Sequence, residues 1–396
     1  MTARPRVPEG RWLAAKPHWR AAVLLLLAIA VLGVELARRA PAPPPAQAVW
    51  PLARDAAIGP LVLQAAGRIP MPPQAAAAHA SSLLALPAGH PAALQAYWFA
   101  GSRESGPDVQ IVASDFDRAS RQWTAPRVVV DRHEAGRALG MGLRRLGNPV
   151  AWRDAQGRTH LFVVATGLGG WAASRILQLR QDAPGQAFVP LRVLPLSWLW
   201  NTSHLVRAMP LPLADGGMVL PAYFELGIKY PVALRFDARG EFRGLVRMSA
   251  RRDLLQPTLL ALSETHWLAL LRDNRPQRQL RAVQTRDGGR SWEDLPDPGP
   301  ANPDASVAGL ALRPGELVLA HNPGRASRAQ LVLSASADGL NWQVLGTLAA
   351  GGDGDEYSYP SLAWSDGGLW ISYTEQRRAI AWQRYAPMPA PQERGR

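Results

Sequence analysis

The chain has 396 residues, of which 47% are hydrophobic and 19% charged, a composition typical of a folded globular protein and not of a disordered one. Its formal net charge of +13 comes almost entirely from arginines that are scattered and form no basic run, which argues against nucleic-acid binding. The absence of cysteine excludes disulfides, thiolate metal sites and cysteine nucleophiles.

The N-terminal residues predict export. Residues 1–20 are basic and precede the uncharged apolar run Ala21–Val34. This length fits the hydrophobic region of a secretory signal, whereas extension to residue 37 gives a short signal-anchor or transmembrane helix over 21–37. The positive charge before the run keeps the N-terminus in the cytoplasm. The possible cleavage site at 46–48 is far from the run, which favours the uncleaved anchor.

These features lead us to expect a single-pass protein of a bacterial inner membrane, held there by the N-terminal helix with its main domain in the periplasm, or a secreted protein if the signal is cleaved. The Pro/Ala-rich segment 38–74 is expected to be a linker. Within it, Pro41–Ala48 (PAPPPAQA) predicts an extended spacer, because consecutive prolines favour the polyproline II conformation.

The body of the chain, expected over 75–386 with a C-terminal tail at 387–396, reads as many short strands. Apolar or alternating runs such as LQAYWF, THLFVVAT and ELVLAHN are separated by turn residues every eight to twelve positions. No long segment has helical periodicity. This pattern predicts an all-β sandwich, barrel or propeller.

Five turns of one type recur through this body and favour the propeller. Their sequences are FDRASRQW, QDAPGQAF, FDARGEF, TRDGGRSW and SADGLNW, and their aspartates are Asp117, Asp182, Asp237, Asp287 and Asp338. The spacing of roughly 50 to 65 residues suits one four-stranded blade. The aspartate can accept backbone N–H bonds within the turn. With a further hairpin at 366–368, the series predicts a six-bladed β-propeller.

TRDGGRSW has the Asp-box (BNR repeat) pattern, and the chain from about 79 to 385 resembles the sialidase (neuraminidase) superfamily. Segments such as AYWFAGSRES, DLLQPTLLAL and EYSYPSLAWSDGG carry the likeness. The resemblance implies a sialidase-like propeller whose enzymes bind a substrate carboxylate with three arginines. They use a tyrosine nucleophile activated by a glutamate, and an aspartate as acid/base catalyst.

The resemblance implies three catalytic candidates. Tyr359 occupies the place of the nucleophile and Asp108 that of the acid/base aspartate. The activating glutamate is missing from the strand that DLLQPTL resembles, where Leu254–Gln256 stand, and Glu225 is the nearest substitute. Two other interpretations stay open, since Tyr359 could be a core tyrosine and Asp108 could cap a turn.

The resemblance also implies a set of substrate-binding residues. Arg272 and Arg328 correspond to the second and third arginines of the triad, while His79-Ala80-Ser81 stands where the first is expected. Further candidates for the pocket rim are Arg103, Arg377, Asn302 and Asp304. Arginines of this kind could instead pair with carboxylates of the blades.

The leading hypothesis is an exo-acting glycoside hydrolase of sialidase type that acts on acidic sugars of surface or periplasmic glycans. The alternative is a non-catalytic carbohydrate-binding propeller involved in handling a cell-surface polysaccharide. A protein-interaction scaffold is a third class, because a propeller alone does not specify function. We expect a glycan as partner and neither a metal nor a cofactor, since the 8 histidines lack ligand spacing and no phosphate-binding glycine loop occurs.

Overall fold

The computed structural model describes residues 17–38, 43–53, 60–197, 201–296 and 299–387. The chain divides into two units, Met1–Pro41 and Ala42–Arg396. In the second unit the described residues form six antiparallel sheets, each built from neighbouring strands along the chain. Six such sheets, joined in sequence and closed by a strand from the start of the unit, make a six-bladed β-propeller, which confirms the predicted fold.

The first strand, β1 (Leu61–Arg68), joins the last blade and is described with it. Blade 1 contains β2 (Ala77–Ala85), β3 (Ala92–Gly101), β4 (Gln110–Asp117), β5 (Gln122–Trp123) and β6 (Arg127–Val130). Blade 2 contains β7 (Arg145–Arg153), β8 (Thr159–Thr166), β9 (Ser174–Gln181) and β10 (Val189–Val193). Blade 3 contains β11 (His204–Val206), β12 (Leu211–Pro212), β13 (Met218–Phe224), β14 (Tyr230–Phe236) and β15 (Phe242–Arg247).

Blade 4 contains β16 (Leu254–Ala261), β17 (Trp267–Asp273), β18 (Arg281–Thr285) and β19 (Glu293–Asp294). Blade 5 contains β20 (Ala308–Arg313), β21 (Glu316–His321), β22 (Gln330–Ser336) and β23 (Gln343–Ala350). Blade 6 contains β24 (Tyr357–Ser365), β25 (Gly368–Glu375), β26 (Ala379–Pro387) and β1. The helices are α1 (Pro17–Arg38), α2 (Arg132–Ala138) and a 3₁₀ turn (Trp171–Ala173).

The ring is closed by β1, which pairs antiparallel with β26 from Leu61↔Pro387 to Arg68↔Ala381. The propeller therefore begins inside the segment 38–74 that was expected to be a linker, and the expected start at 75 is corrected. A strand whose partner lies more than 300 residues away has no local sequence signal.

The proposed spacer also differs from expectation. Its described part packs on the propeller, where Ala46 and Ala48 are buried. The Ala46 amide donates to the Gly288 carbonyl at 3.1 Å, and Ala48 forms a bridge with Leu213. A polyproline-like segment makes no internal hydrogen bonds, so its free N–H and C=O groups are available to neighbouring blades. Residues 43–48 are therefore part of the folded unit.

The recurrent turns join the third and outermost strands of blades 1 to 5. In four of them the aspartate accepts N–H bonds inside the turn, as when Asp287 Oδ1 accepts from the Ser291 amide at 2.9 Å. In the turn after β9, Asp182 instead pairs with Arg180 Nε at 2.6 Å. Blade 6 takes its outer strand from the other end of the unit, so it needs no such turn, which explains five turns for six blades.

Helix α1 has 22 residues and contains the apolar N-terminal run. None of the helices in the described part of the chain is long and apolar enough to cross a membrane. The expected transmembrane anchor over 21–37 is corrected for this reason. The uncharged run Ala21–Val34 is bounded by Arg20 and Glu35. It rises only about 21 Å as a helix, against about 30 Å for a bilayer core.

Candidate functional site

The inner edge of every blade carries a non-glycine residue with a left-handed backbone. Six of these, one from each blade, are Ala80, Asn148, Ser203, Gln256, Asp304 and Tyr359, and Asp253 before β16 is a further one. In β2, β7, β16 and β24 the residue lies in a β-bulge, where the strand pairing skips. A bulge re-aims a side chain out of the regular alternation and is frequent beside functional sites. Three of the six, Gln256, Asp304 and Tyr359, have side chains that meet in one network.

Tyr359 is surrounded by residues from three other blades. Its ring lies 4.2 Å, centroid to centroid, from the ring of His79 on β2. The guanidinium carbon of Arg207 lies 5.1 Å from the Tyr359 ring centroid. The Tyr359 hydroxyl oxygen is 3.5 Å from Gln256 Nε2. Tyr359 is therefore a partly buried residue at the axis, where blades 1, 3, 4 and 6 meet.

Gln256 connects this tyrosine to an ion pair. Its Oε1 accepts from Arg272 Nη1 at 3.1 Å, and Arg272 Nε donates to Asp304 Oδ1 at 2.5 Å. Burial acts to lower the pKa of Arg272, but Tyr359, Asp304 and Tyr223 outweigh it and raise the pKa above its ordinary value. Arg272 thus stays charged although it is largely buried.

A second carboxylate, Glu356, pairs with two arginines. It accepts from Arg328 Nη1 at 3.1 Å, and from Arg377 Nε at 2.7 Å and Nη2 at 3.3 Å. Burial acts to raise the pKa of Glu356, but hydrogen bonds from Arg377 and Ser358 and the two positive charges lower it to about 2. Arg377 also pairs with Glu104 of blade 1. Glu356 is therefore ionised at any physiological pH.

We call this network the central cluster; it consists of His79, Glu104, Arg207, Gln256, Arg272, Asp304, Arg328, Glu356, Tyr359 and Arg377. Its members come from five blades, which converge only near the axis of the ring. Arg207 lies on its inner side, where it also lines a small cavity of about 50 Å³ with mostly apolar residues such as Leu211, Leu259 and Leu362. Arg207 thus separates the polar cluster from an apolar section of the axis.

Five predicted residues belong to the cluster: Arg272, Arg328, Arg377, Asp304 and Tyr359. All four arginines of the cluster, including Arg207, have partners within the protein. Three of them pair with carboxylates, which is the alternative that the sequence left open for these arginines.

The other predicted residues are placed differently. Asp108 is exposed, and its carboxylate accepts from the Ser102 amide at 2.7 Å and the Ser102 hydroxyl at 2.8 Å, which is the geometry of a turn cap. Arg103 is exposed beside it. Asn302 is fully buried and its Oδ1 accepts from the Ala305 amide at 2.8 Å, a structural contact.

Glu225 follows β13 and is partly buried near the cluster. Burial raises the pKa of its carboxyl, while Lys229 and Arg272 act to lower it and Asp304 to raise it. Its amide donates to the Ser203 carbonyl at 2.9 Å. Among the hydrogen bonds of the described residues, none joins the Glu225 side chain to Tyr359.

The sequence analysis did not select four residues in or beside the central cluster: Arg207, Tyr223, Glu356 and Glu104. Tyr223 is 2% exposed and its hydroxyl lies 3.5 Å from Gln256 Nε2. Glu356 and Glu104 lie in the segments EYSYPSL and SRES, which carry the family resemblance. A glutamate without an assigned role in such a segment could have indicated a partner for one of the candidate arginines. Arg207 follows a buried apolar strand, where a charge is unexpected.

No group of three or more histidine, aspartate or glutamate side chains in the described part of the chain is placed to hold a metal ion. The cluster is built instead from arginine–carboxylate pairs, an amide and two aromatic rings. Such groups bind and orient the hydroxyls of a polar ligand.

Residues 92–371 match the family model of the BNR repeat-like domain. The fold is similar to that of the Hadza microbial sialidase Hz136, with a TM-score of 0.64 and 16% identity over 80% of this chain and 66% of that one. The fold is also similar to that of a Dyadobacter fermentans protein of unknown function, with a TM-score of 0.65 and 12% identity over 84% of this chain and 100% of that one.

Trypanosoma rangeli sialidase gives a TM-score of 0.61 and 12% identity over 78% of this chain and 55% of that one. The chain thus spans about two thirds of the first sialidase and just over half of the second. No curated protein matches the sequence. The match over 92–371, together with the six-bladed fold, establishes that the chain belongs to the BNR repeat-like domain family and is sialidase-like.

Proposed function

We propose that this protein is a non-catalytic carbohydrate-binding propeller whose central cluster holds a sugar without cleaving it. The observation that carries the proposal is the contact between the Tyr359 hydroxyl and the side-chain amide of Gln256. A tyrosine nucleophile needs a neighbouring base to take its proton. The nature of the group next to Tyr359 therefore decides between binding and hydrolysis.

The orientation of the Gln256 amide follows from its other partner. Arginine has only donors, so the Gln256 oxygen must face Arg272 Nη1 at 3.1 Å. The amide nitrogen then faces the Tyr359 hydroxyl oxygen at 3.5 Å. An amide N–H donates a hydrogen bond and cannot accept a proton. Gln256 thus donates towards the Tyr359 oxygen and cannot serve as the base that takes the Tyr359 proton.

Glu225 does not replace the missing base in this arrangement. Burial favours its neutral form, and its side chain makes no hydrogen bond to Tyr359 among the described residues. Asp108 is likewise occupied by Ser102 in a turn. Among the described residues, neither expected proton-transfer group makes a hydrogen bond to Tyr359, which favours binding over catalysis in this arrangement.

Carbohydrate is the favoured ligand class because the cluster brings several carboxylates, arginines and an amide together in one place. Carboxylates and amides bind sugar hydroxyls. Trypanosoma rangeli sialidase, which shares the fold, has been solved in complex with sialic acid. That likeness supports a sugar at the corresponding end of this propeller.

The second candidate is an exo-glycoside hydrolase acting on acidic sugars of surface or periplasmic glycans. One observation favours it: Tyr359, Arg272 and Arg328 meet in one network, with Asp304 bridging the two arginines through its side chain and its carbonyl. For this candidate function, Glu225 would have to move so that its carboxylate reaches the Tyr359 hydroxyl and acts as the base.

A glycan array tests the proposal. Arg272→Met should remove binding, because it breaks the contacts to both Gln256 and Asp304. The matched control is Arg286→Met, an arginine whose side chain is 68% exposed on the turn after β18. We expect wild type and the control to bind the same glycans and Arg272→Met to lose at least about tenfold in affinity. Equal binding by all three proteins would place the sugar elsewhere.

We also propose that the propeller is exported from the cytoplasm, where it meets cell-surface polysaccharide. The basic residues 1–20 followed by Ala21–Val34 have the order of a secretory signal and support this proposal. A periplasmically active reporter fused after Arg396 should be active. Activity only of a cytoplasmic reporter would contradict export.

A further inference from the structure

Three of the four arginines of the central cluster are already engaged by carboxylates of the same chain. Arginine recognises a carboxylate through two parallel N–H groups on one edge of its guanidinium. A site that binds an acidic sugar must offer such an edge to the ligand. The partners of each arginine therefore indicate which class of sugar fits.

Arg377 already holds a carboxylate in this way. Its Nε and Nη2 both donate to Glu356, at 2.7 and 3.3 Å, and its Nη1 pairs with Glu104. Each of the three nitrogens thus already has a carboxylate partner. An incoming carboxylate would compete with Glu356 and Glu104 for this arginine.

Arg328 and Arg272 are occupied on two nitrogens each. Arg328 donates to Glu356 at 3.1 Å and to the Asp304 carbonyl at 2.7 Å. Arg272 donates to the Asp304 carboxylate at 2.5 Å and to Gln256 at 3.1 Å. The second oxygen of Asp304 accepts from Asn274 Nδ2 at 2.8 Å and pairs with Arg278 Nη1 at 3.3 Å, so both oxygens of this carboxylate have partners.

Two guanidiniums remain: that of Arg278, whose Nη1 pairs with Asp304 Oδ2 at 3.3 Å, and that of Arg207, which is buried. Arg207 is 2% exposed, and its bonds go to the carbonyls of Ser81 at 3.2 Å and Pro360 at 2.9 Å. The first arginine expected from the sialidase resemblance is absent, with the ring of His79 against Tyr359 in its place.

A carboxylate-bearing sugar would also meet like charge. Asp304, Glu356 and Glu104 are held among the arginines. Juxtaposed like charges cost binding free energy, whereas sugar hydroxyls can donate hydrogen bonds to the remaining carboxylate lone pairs. The cluster is therefore matched to hydroxyls.

We propose that the central cluster selects an uncharged, hydroxyl-bearing sugar and discriminates against carboxylate-bearing sugars, with Glu356 and Asp304 acting as internal substitutes for a ligand carboxylate. This inference rests on the proposed glycan-binding function. It assigns Glu356 and Asp304 as the specificity-determining residues of the site.

Matched pairs of probes test this selectivity. Isothermal titration measures binding of methyl galactoside against methyl galacturonide, methyl glucoside against methyl glucuronide, and the methyl glycoside of N-acetylneuraminic acid against its C1 amide. For each pair that binds, wild type should prefer the uncharged member by at least about tenfold, the effect of unfavourable charge juxtaposition.

Glu356→Gln and Asp304→Asn should reduce or reverse that preference by at least about tenfold, because each frees an arginine edge. The matched control is Glu293→Gln, at a glutamate 62% exposed on β19, which should leave the preference unchanged. Circular dichroism and thermal melting show that the variants fold, and Asp304→Asn answers the question if Glu356→Gln does not fold.

Two results would overturn the inference while leaving glycan binding intact: a wild-type preference for the acidic probes, or a preference that both variants leave unchanged. Failure of wild type to bind every probe and every glycan on the array would overturn the proposed function and this inference together.

Discussion

Arg207 and Tyr359 are 152 residues apart in the chain, yet they contact each other across the axis of the propeller. The guanidinium carbon of Arg207 lies 5.1 Å from the Tyr359 ring centroid, and Arg207 Nη2 donates to the Tyr359 carbonyl oxygen. One arginine of blade 3 thus supports both the ring of Tyr359 and its left-handed backbone.

Replacement of Arg207 should destabilise the protein. Arg207→Met removes a donor from the buried carbonyl oxygens of Ser81 and Pro360 and from the partly buried one of Tyr359. We expect the free energy of unfolding to fall by about 2 to 5 kcal/mol, measured by urea denaturation. Arg286→Met, at an exposed arginine, should change it by less than about 0.5 kcal/mol. Equal stability of both variants would mean that Arg207 does not hold the axis.

His79 should contribute a pH dependence to stability. Burial lowers the pKa of His79 to about 3 from 6.5. Between these values the unfolded chain takes up a proton that the folded chain does not, so folding stability falls as the pH decreases. His79→Phe keeps an aromatic ring packed against Tyr359. Between the two pKa values it should reduce the slope of the free energy of unfolding against pH by about 1.4 kcal/mol per pH unit.

The measurement is chemical denaturation of wild type and His79→Phe from pH 6.5 to 4. His204 and His321, whose pKa values burial also lowers, to about 4, are present in both proteins, so their contributions cancel. Parallel curves would show that His79 takes up its proton in the folded protein.

The recurrent aspartates should be structural where they cap the turn and dispensable where they do not. Asp287→Ala removes acceptors for the Ser291 amide and hydroxyl at 2.9 and 2.6 Å, so the free energy of unfolding should fall by about 1 to 3 kcal/mol. Asp182→Ala removes only a half-exposed pair with Arg180 and should cost less than about 1 kcal/mol. Thermal melting of both variants decides, and the reverse order would refute the structural role.

The contact between residues 43–48 and blade 4 should depend on Gly288. A Cβ at Gly288 would lie 2.0 Å from the Ala46 carbonyl oxygen, and its φ is +67°. Gly315 has a φ of +71° with nothing within 4 Å of its Cβ position, so Gly315→Ala carries the same backbone strain without the clash. Gly288→Ala should therefore be the less stable variant by about 1 to 3 kcal/mol.

Hydrogen exchange reports the same contact directly. The Ala46 amide, bonded to the Gly288 carbonyl at 3.1 Å, should exchange faster in Gly288→Ala than in Gly315→Ala. Equal protection in the two variants would mean that residues 43–48 are held by other contacts.

The propeller could be predicted because its turn motif is local: Asp287 binds Ser291 four residues later, so the pattern is visible in a short window. Strand β1 could not, since its pairing with β26 joins segments more than 300 residues apart. The membrane helix over 21–37 was expected from apolar composition, but no helix in the described part of the chain is both long and apolar enough to cross a membrane.

In the candidate site, too, some residues could be predicted from the sequence and others depend on the folded arrangement. Residue type and resemblance selected Tyr359, Arg272 and Arg328, which the fold brings into one network. The pairing of Arg328 with Glu356, and the turn that occupies Asp108, depend on distances that only the folded chain defines.

Saturation-transfer NMR of wild-type protein with a mixture of methyl galactoside, lactose and sialyllactose tests the central claim most directly, because it reports binding and cleavage in one sample. We predict saturation of at least one uncharged sugar, with every sugar intact after a day, since the Gln256 amide cannot take the Tyr359 proton. Free sialic acid or galactose released by wild type but not by Tyr359→Phe would contradict the account.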